Sequence, residues 1–166
     1  MRRNLARAAK INHIPYVIVD LNPETVRNEK KNGEPIYFGD AGSPAVLTEP
    51  GVEQAQVLVV AVPDIVATRR IVFLAKLANP DIHIVCRTCF TSEIETLHKL
   101  GADEIIAEEF ESAIEIFSRV LHRYGIPAGQ GSTLTNEVRS GHYQDRVTDP
   151  WACADKSELG VPAVQL

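Results

Sequence analysis

Five short runs rich in β-branched residues, separated by stretches of helical periodicity, constrain this chain more than any other feature. They are YVIVD (16–20), PIYFGD (35–40), QVLVVAV (56–62), HIVCRT (83–88) and DEIIA (103–107). Runs this short and apolar on both faces are what buried parallel strands require. The segments between them carry helix punctuation. Asn22 caps PETVRNEKKN, with Pro23 at the first helical position and Gly33 past the end. Ser43 and Pro44 open a short helix, and Ser92 with Glu95 reads as a capping box for EIETLHKL, closed by Gly101. EEFESAIEIFSRVLHRY stops at Gly125. Strand and helix alternating at this spacing predict βαβ units, a parallel sheet and right-handed crossovers with helices on both faces.

The start of the chain conflicts with that plan. In a doubly wound sheet, the run ending in Asp20 is the second strand, and its first strand with a glycine-rich loop belongs about 20 residues earlier. Only 19 residues precede Asp20, and they open with an unpreceded helix over about 2–12. The fold class expected is therefore α/β, a Rossmann-like doubly wound parallel sheet lacking its first, central strand and its glycine-rich loop. Each buried backbone group left unpaired costs about 1–3 kcal/mol, so a strand's worth rivals a whole-domain stability of about 5–15 kcal/mol. Three resolutions exist: the chain is a fragment that began upstream, the orphaned strands YVIVD and QVLVVAV pair directly, or another chain supplies the strand. The first is favoured here. Without the loop, backbone amides and a helix N-terminus have no cradle for a pyrophosphate, so nucleotide affinity in this chain is expected to be weak or absent.

The bulk numbers exclude several classes. The 166 residues are 45% apolar and 23% charged, with a net charge of −5. That acidic balance disfavours a nucleic-acid partner. MRR is too short a start for a secretory signal, no apolar run reaches the length of a membrane span, and a cytoplasmic location follows as the default. Cys86 and Cys89 form a C-x-x-C without a second pair or histidines at ligand spacing, so both are read as structural and no metal site is expected. His13, His83, His98, His122 and His142 are scattered, and no G-x-S-x-G or H-E-x-x-H occurs. No catalytic residue is assigned.

Three domain segments are expected: 1–125 as the sheet domain, 126–147 as a crossover and dimerisation helix, and 148–166 as a loosely held tail around Trp151. In the long helix, Ile114, Phe117 and Leu121 form one stripe, and Ala113, Ile116, Val120 and Tyr124 form a second. One stripe suffices to pack on a sheet. Two suggest burial on both sides, by the following segment or by a second subunit.

The segments NLARAAK, IPYVIVDLNPETV, GEPIYFGDAGSPAVL, GVEQAQVLVVAVPD, NPDIHIVCRT and GADEIIAEEFES together resemble the regulator-of-K⁺-conductance domain, also called KTN or TrkA-N. The resemblance runs from about Asn4 to Tyr143 and is greatest to versions attached to Kef-type potassium/proton antiporters. It departs from the family at the absent G-x-G-x-x-G loop, where Arg2 falls at the last glycine, and after residue 147. The resemblance implies a regulatory domain that binds NAD(H) or another adenine nucleotide and gates a membrane potassium channel or antiporter through a change in homodimer geometry. The dimer would form through the 108–145 region. By the same resemblance, Asp20 would bind ribose hydroxyls, or else simply lead its helix. Asp40 and Ala41 would lie beside adenine and ribose, or form a plain turn. Ala61 and Val62 would line the crevice, or pack. Arg87 would face phosphate or a partner acid. Glu108, Glu109 and Glu111 suit the N-terminal dipole of their helix, and the family also offers acids here to a ligand or cation site between subunits. The rival readings are a small NAD-dependent oxidoreductase of the same topology and a non-functional fragment.

Overall fold

The computed structural model describes residues 2–148. The chain divides into two compact units, the first ending at Ala113 and the second beginning at Ile114. The first unit alternates helix and strand. Helix α1 (Arg2–Ile11) precedes strand β1 (Ile18–Asp20), helix α2 (Pro23–Lys31), strand β2 (Ile36–Phe38) and the short helix α3 (Pro44–Thr48). A 3₁₀ turn over Val52–Gln54 leads to β3 (Val57–Val60), α4 (Ile65–Ala78) and β4 (His83–Thr88). A second 3₁₀ turn, Thr91–Glu93, opens α5 (Ile94–Lys99), and β5 (Glu104–Ala107) runs into α6 (Glu108–Arg123). Helix α7 (Ala128–Thr148) belongs to the second unit. The tail reading, Trp151 included, lies outside the described residues.

The strands form two parallel sheets: β1–β2, with Ile18 opposite Ile36, and β3–β4–β5, with Val59 opposite Val85 and Val85 opposite Glu104. This is the Rossmann-like α/β architecture with its ladder interrupted between β1 and β3. Of the three resolutions drawn from the sequence, direct pairing of these two strands is not the one adopted.

Register decides which side chains share a face. Leu58, Val60, Ile84, Cys86, Thr88, Ile105 and Ala107 point one way, and all but Leu58 are buried. α4 packs along β3 and β4, and α5 along β5, to close a core with Ile71, Val72, Ala75, Ile94 and Leu97. On the opposite face, Val57 and Val59 keep 54% and 49% of their surface, and Ile106 is also exposed. At one end of that face, His83 meets Glu104 at 2.8 Å.

Local chemistry sets the element ends. Asn22 Oδ1 accepts from the Glu24 and Thr25 amides at 2.9 and 3.1 Å, and Asp64 Oδ1 accepts from Ala67 N at 2.6 Å, so α2 and α4 start on side-chain caps. The capping box expected at Ser92 and Glu95 does not form. Ser92 lies inside the 3₁₀ turn, α5 starts with no side-chain cap, and Glu95 instead pairs with Lys99 one turn on. The helix expected within 126–147 runs over Ala128–Thr148, through Gly141 without a break.

At the end of β2, Gly39 is required by close approach. A Cβ there would sit 2.6 Å from Val46 Cγ1 on α3, and valine has little χ1 freedom to yield. Gly39→Ala is expected to destabilise the chain by about 1–3 kcal/mol. The urea midpoint checks this, and Val46→Ala in the same background should recover part of the loss.

Asp103 ties β5 to β4. Its Oδ2 accepts from Ile84 N at 2.7 Å and lies 3.1 Å from Lys76 Nζ. Burial pushes this carboxyl up, but the Ile84 amide and the Lys76 ammonium outweigh that and hold it below the usual Asp value. Its contribution is therefore full above the unfolded value of about 3.9 and lost as pH falls through the lower folded value. Urea midpoints of wild type and Asp103→Asn should differ near neutral pH, with the gap starting to close only near about pH 4 and vanishing below the lower folded value.

Candidate functional site

Parallel α/β sheets place their sites at the carboxyl ends of the strands, where strand order reverses. Asp20 is the last residue of β1 and is 9% exposed. Its Oδ1 accepts from Asn22 N at 2.8 Å, and its carbonyl accepts from Gly39 N at 3.1 Å. The carboxylate thus orients the turn into α2. Asp40 follows β2 and is exposed. Its Oδ1 accepts from Gly42 N at 2.8 Å and its carbonyl from Ser43 N at 2.8 Å, forming a side-chain-closed turn around half-buried Ala41.

That turn reaches the second sheet through α4. A Cβ on Gly42 would lie 3.4 Å from Arg70 Cδ. At the far end of α4, Asn79 Nδ2 donates to the Val52 and Ala55 carbonyls at 3.1 and 3.0 Å, ahead of β3. α4 therefore runs antiparallel to β3, with its first turns at the carboxyl end of the strand. Ala61 and Val62 leave β3 there, both half-buried.

Arg87, near the end of β4, binds this corner together. Its Nε donates to the Ala61 carbonyl at 3.3 Å, and its Nη1 forms an ion pair with Glu108, the first residue of α6. Of the two roles open to Arg87, the partner acid is the contact made in the structure. Cys89 Sγ sits 3.7 Å from the other Glu108 oxygen. A cavity of about 230 Å³ opens beside them, lined by Val62, Asp64, Thr68, Arg87, Cys89 and Phe90 among others. An anion entering it would compete with Glu108 for the Arg87 guanidinium.

The six residues proposed from the sequence therefore fall into two groups. Asp20, Asp40 and Ala41 lie on the β1–β2 side, and Ala61, Val62 and Arg87 on the β3–β4 side, with the interrupted ladder between them. Asp64, Thr68 and Phe90 were not foreseen. Asp64 carried a legible signal, an acid directly before an apolar helical stretch. Thr68, buried with its hydroxyl donating to the Asp64 carbonyl at 2.9 Å, carried none. Of the C-x-x-C pair, Cys86 is buried and its thiol is pushed up to about 11 by that burial, whereas Cys89 is exposed. A thiol so held is a packing group.

Comparison with known proteins gives the family. Residues 2–108 match the TrkA-N domain. A putative K⁺ efflux antiporter, KefB, from Alkalimonas amylolytica is 28% identical over 142 residues, which are 86% of this chain and 22% of that protein. The chain spans between 11% and 23% of the length of the curated relatives it matches. Among solved structures, the TrkA-N domain of the inner membrane protein ybaL from Escherichia coli superposes with a TM-score of 0.66 at 24% identity, covering 69% of this chain and 84% of that one. The Shewanella denitrificans Kef C-terminal domain in its AMP-bound form superposes with a TM-score of 0.62 at 20% identity, covering 79% and 93%. At these identities the superpositions establish the fold. The extent of the match to the domain itself establishes more: this chain belongs to the TrkA-N family.

Proposed function

We propose that this chain is a ligand-binding regulatory domain of a membrane potassium channel or Kef-type K⁺/H⁺ antiporter, working at the cytoplasmic face. NAD(H) or another adenine nucleotide is the ligand, held at the carboxyl ends of the strands between Asp20, Asp40 and Ala41 on one side and Ala61, Val62 and Arg87 on the other. The AMP-bound state of the Kef relative supports an adenine nucleotide here. The observation that carries the reading is the pairing of a buried carboxylate at the end of β1 with a guanidinium-bearing cavity at the ends of β3 and β4. Nothing in this arrangement calls for chemistry. Ligand acts by favouring one dimer geometry over another, and the transporter reads the difference.

The dimer surface in this reading is the second stripe of α6. Ile116, Val120 and Tyr124 are all exposed, Tyr124 at 76%, while Ile114 and Leu121 of the first stripe are buried. Among the described residues no helix is long and apolar enough to cross a membrane.

Binding is weak in this chain because β1 and β3 offer no backbone cradle between them. Calorimetric titration with AMP and with NADH, alongside sedimentation, tests this. The expected result is saturable binding in the millimolar range, about −4 kcal/mol, with a ligand-dependent change in the dimer. NADH turnover in the presence of candidate substrates would contradict the regulatory reading, and nanomolar affinity would contradict the weak-binding part of it.

A further inference from the structure

We propose that Arg70 of α4 is a specificity-determining residue of the ligand site, stacking its guanidinium plane on the base of a bound nucleotide. The proposal rests on the nucleotide reading above and adds the group that tells a nucleotide from a bare sugar phosphate. Gly42 fixes where the Arg70 side chain lies. Gly42 is buried and has no positive φ, so its backbone would accept any residue. A side chain there would instead meet Asp40 Oδ1 at 3.1 Å, Arg70 Cδ at 3.4 Å and Arg70 Nε at 3.6 Å. The glycine thus leaves the room in which the Arg70 stem lies against the turn that Asp40 closes. Among the described residues Arg70 makes no hydrogen bond or ion pair, and it is exposed. Its neighbour Arg69 is committed elsewhere, with its Nε donating to Glu93 Oε2 at 3.1 Å.

Electrostatics sets which end of a ligand comes to this turn. Asp20 and Asp40 put two carboxylates at the ends of β1 and β2, which repel a phosphate, while Arg87 offers a guanidinium beside the cavity. α4 reaches both places, since Asp64 and Thr68 line the cavity and Arg70 meets the turn. A nucleotide therefore lies with its phosphate toward Arg87 and its base toward Asp40 and Arg70. A guanidinium is planar, weakly hydrated and stacks on aromatic faces, and every base offers such a face. Stacking needs no hydrogen bond from the base. Arg70 thus favours a nucleotide over a sugar phosphate without choosing among bases.

The test is NMR titration of the isotope-labelled 166-residue chain with AMP and with ribose 5-phosphate, on wild type, Arg70→Gln and Arg70→Lys. In wild type, AMP should displace the Gly42 amide and Arg70 Nε–H resonances, and ribose 5-phosphate should leave both in place. Arg70→Gln should raise the AMP midpoint about two- to fivefold. Arg70→Lys, which keeps the charge and loses the plane, should fall between the two. The ribose 5-phosphate curves of all three proteins should superimpose. An AMP midpoint unchanged in Arg70→Gln would overturn the proposal. So would equal weakening of both ligands, since Arg70 would then act on the phosphate or merely brace the Asp40 turn. If wild type binds AMP with no displacement at Gly42 or Arg70, the base lies elsewhere, and the proposal fails while the nucleotide reading stands. If AMP leaves every wild-type resonance in place, the nucleotide reading fails and the proposal falls with it.

Discussion

Ile84→Ala should lower the unfolding free energy by about 2–5 kcal/mol, the largest single-residue loss expected in this chain. Ile84 is fully buried in β4, the middle strand of the three-stranded sheet, in register with Leu58 of β3. Val60, Cys86 and Ile105 share its face, so truncation leaves a cavity walled by strands that are already hydrogen-bonded in place and cannot collapse inward. The Ile84 amide also holds the Asp103 carboxylate, so any shift of β4 disturbs the Lys76 pair as well. Against a typical margin of about 5–15 kcal/mol, the variant stands near the edge of folding. Ile106→Ala is the control. It lies in β5 on the opposite, open face and should cost under about 1 kcal/mol. Urea denaturation of both variants checks the contrast, and a similar loss in both would show that the two faces are equally packed.

Arg87→Met should reduce affinity for AMP by about 10- to 100-fold, the second large effect. A hydrogen bond to a charged group contributes about 1.5–3 kcal/mol, which largely overlaps the about 1.4–2.7 kcal/mol of that range. Arg87 supplies the positive charge beside the cavity, already shared with Glu108 and the Ala61 carbonyl. If an anionic ligand must displace Glu108, then Glu108→Gln should act in the opposite sense and tighten AMP binding, because it frees the guanidinium without moving it. Ligand-observed NMR titration of AMP reads both signs, as earlier saturation than wild type for Glu108→Gln and no saturation over the same range for Arg87→Met. A loss of affinity in both would make the ion pair a structural brace, with Arg87 having no role toward the ligand.

Strand identity was legible in the sequence because each run is short, β-branched and bounded by turn residues. His83–Thr88 matches its predicted limits, since both its edges are paired and every residue is bonded. β1 and β3 come out shorter than YVIVD and QVLVVAV because each has a single partner, and an unpaired flank does not hold extended geometry to its ends. The Asn22 cap was readable because asparagine precedes a proline at the first helical position. The Ser92 box was not, because a 3₁₀ turn displaced the true start of α5 by one residue. Asp20, Asp40 and Arg87 could be placed at strand ends from spacing and resemblance. Their division between two sides of an interrupted ladder depends on tertiary pairing, which no local pattern encodes. The Glu108 partnership of Arg87 is likewise a contact across 21 residues of chain.

The central claim is that the strands form two parallel sheets, β1–β2 and β3–β4–β5, with no ladder between β1 and β3. Residue-resolved amide hydrogen exchange on the chain alone tests it most directly, since protection follows hydrogen bonding along each strand edge. The amides of Leu58 and Val60, committed to β4, should exchange at least tenfold more slowly than those of Val57 and Val59, which turn away from it. Equal protection at all four would mean that a strand already lies against the free edge of β3, and would contradict the account.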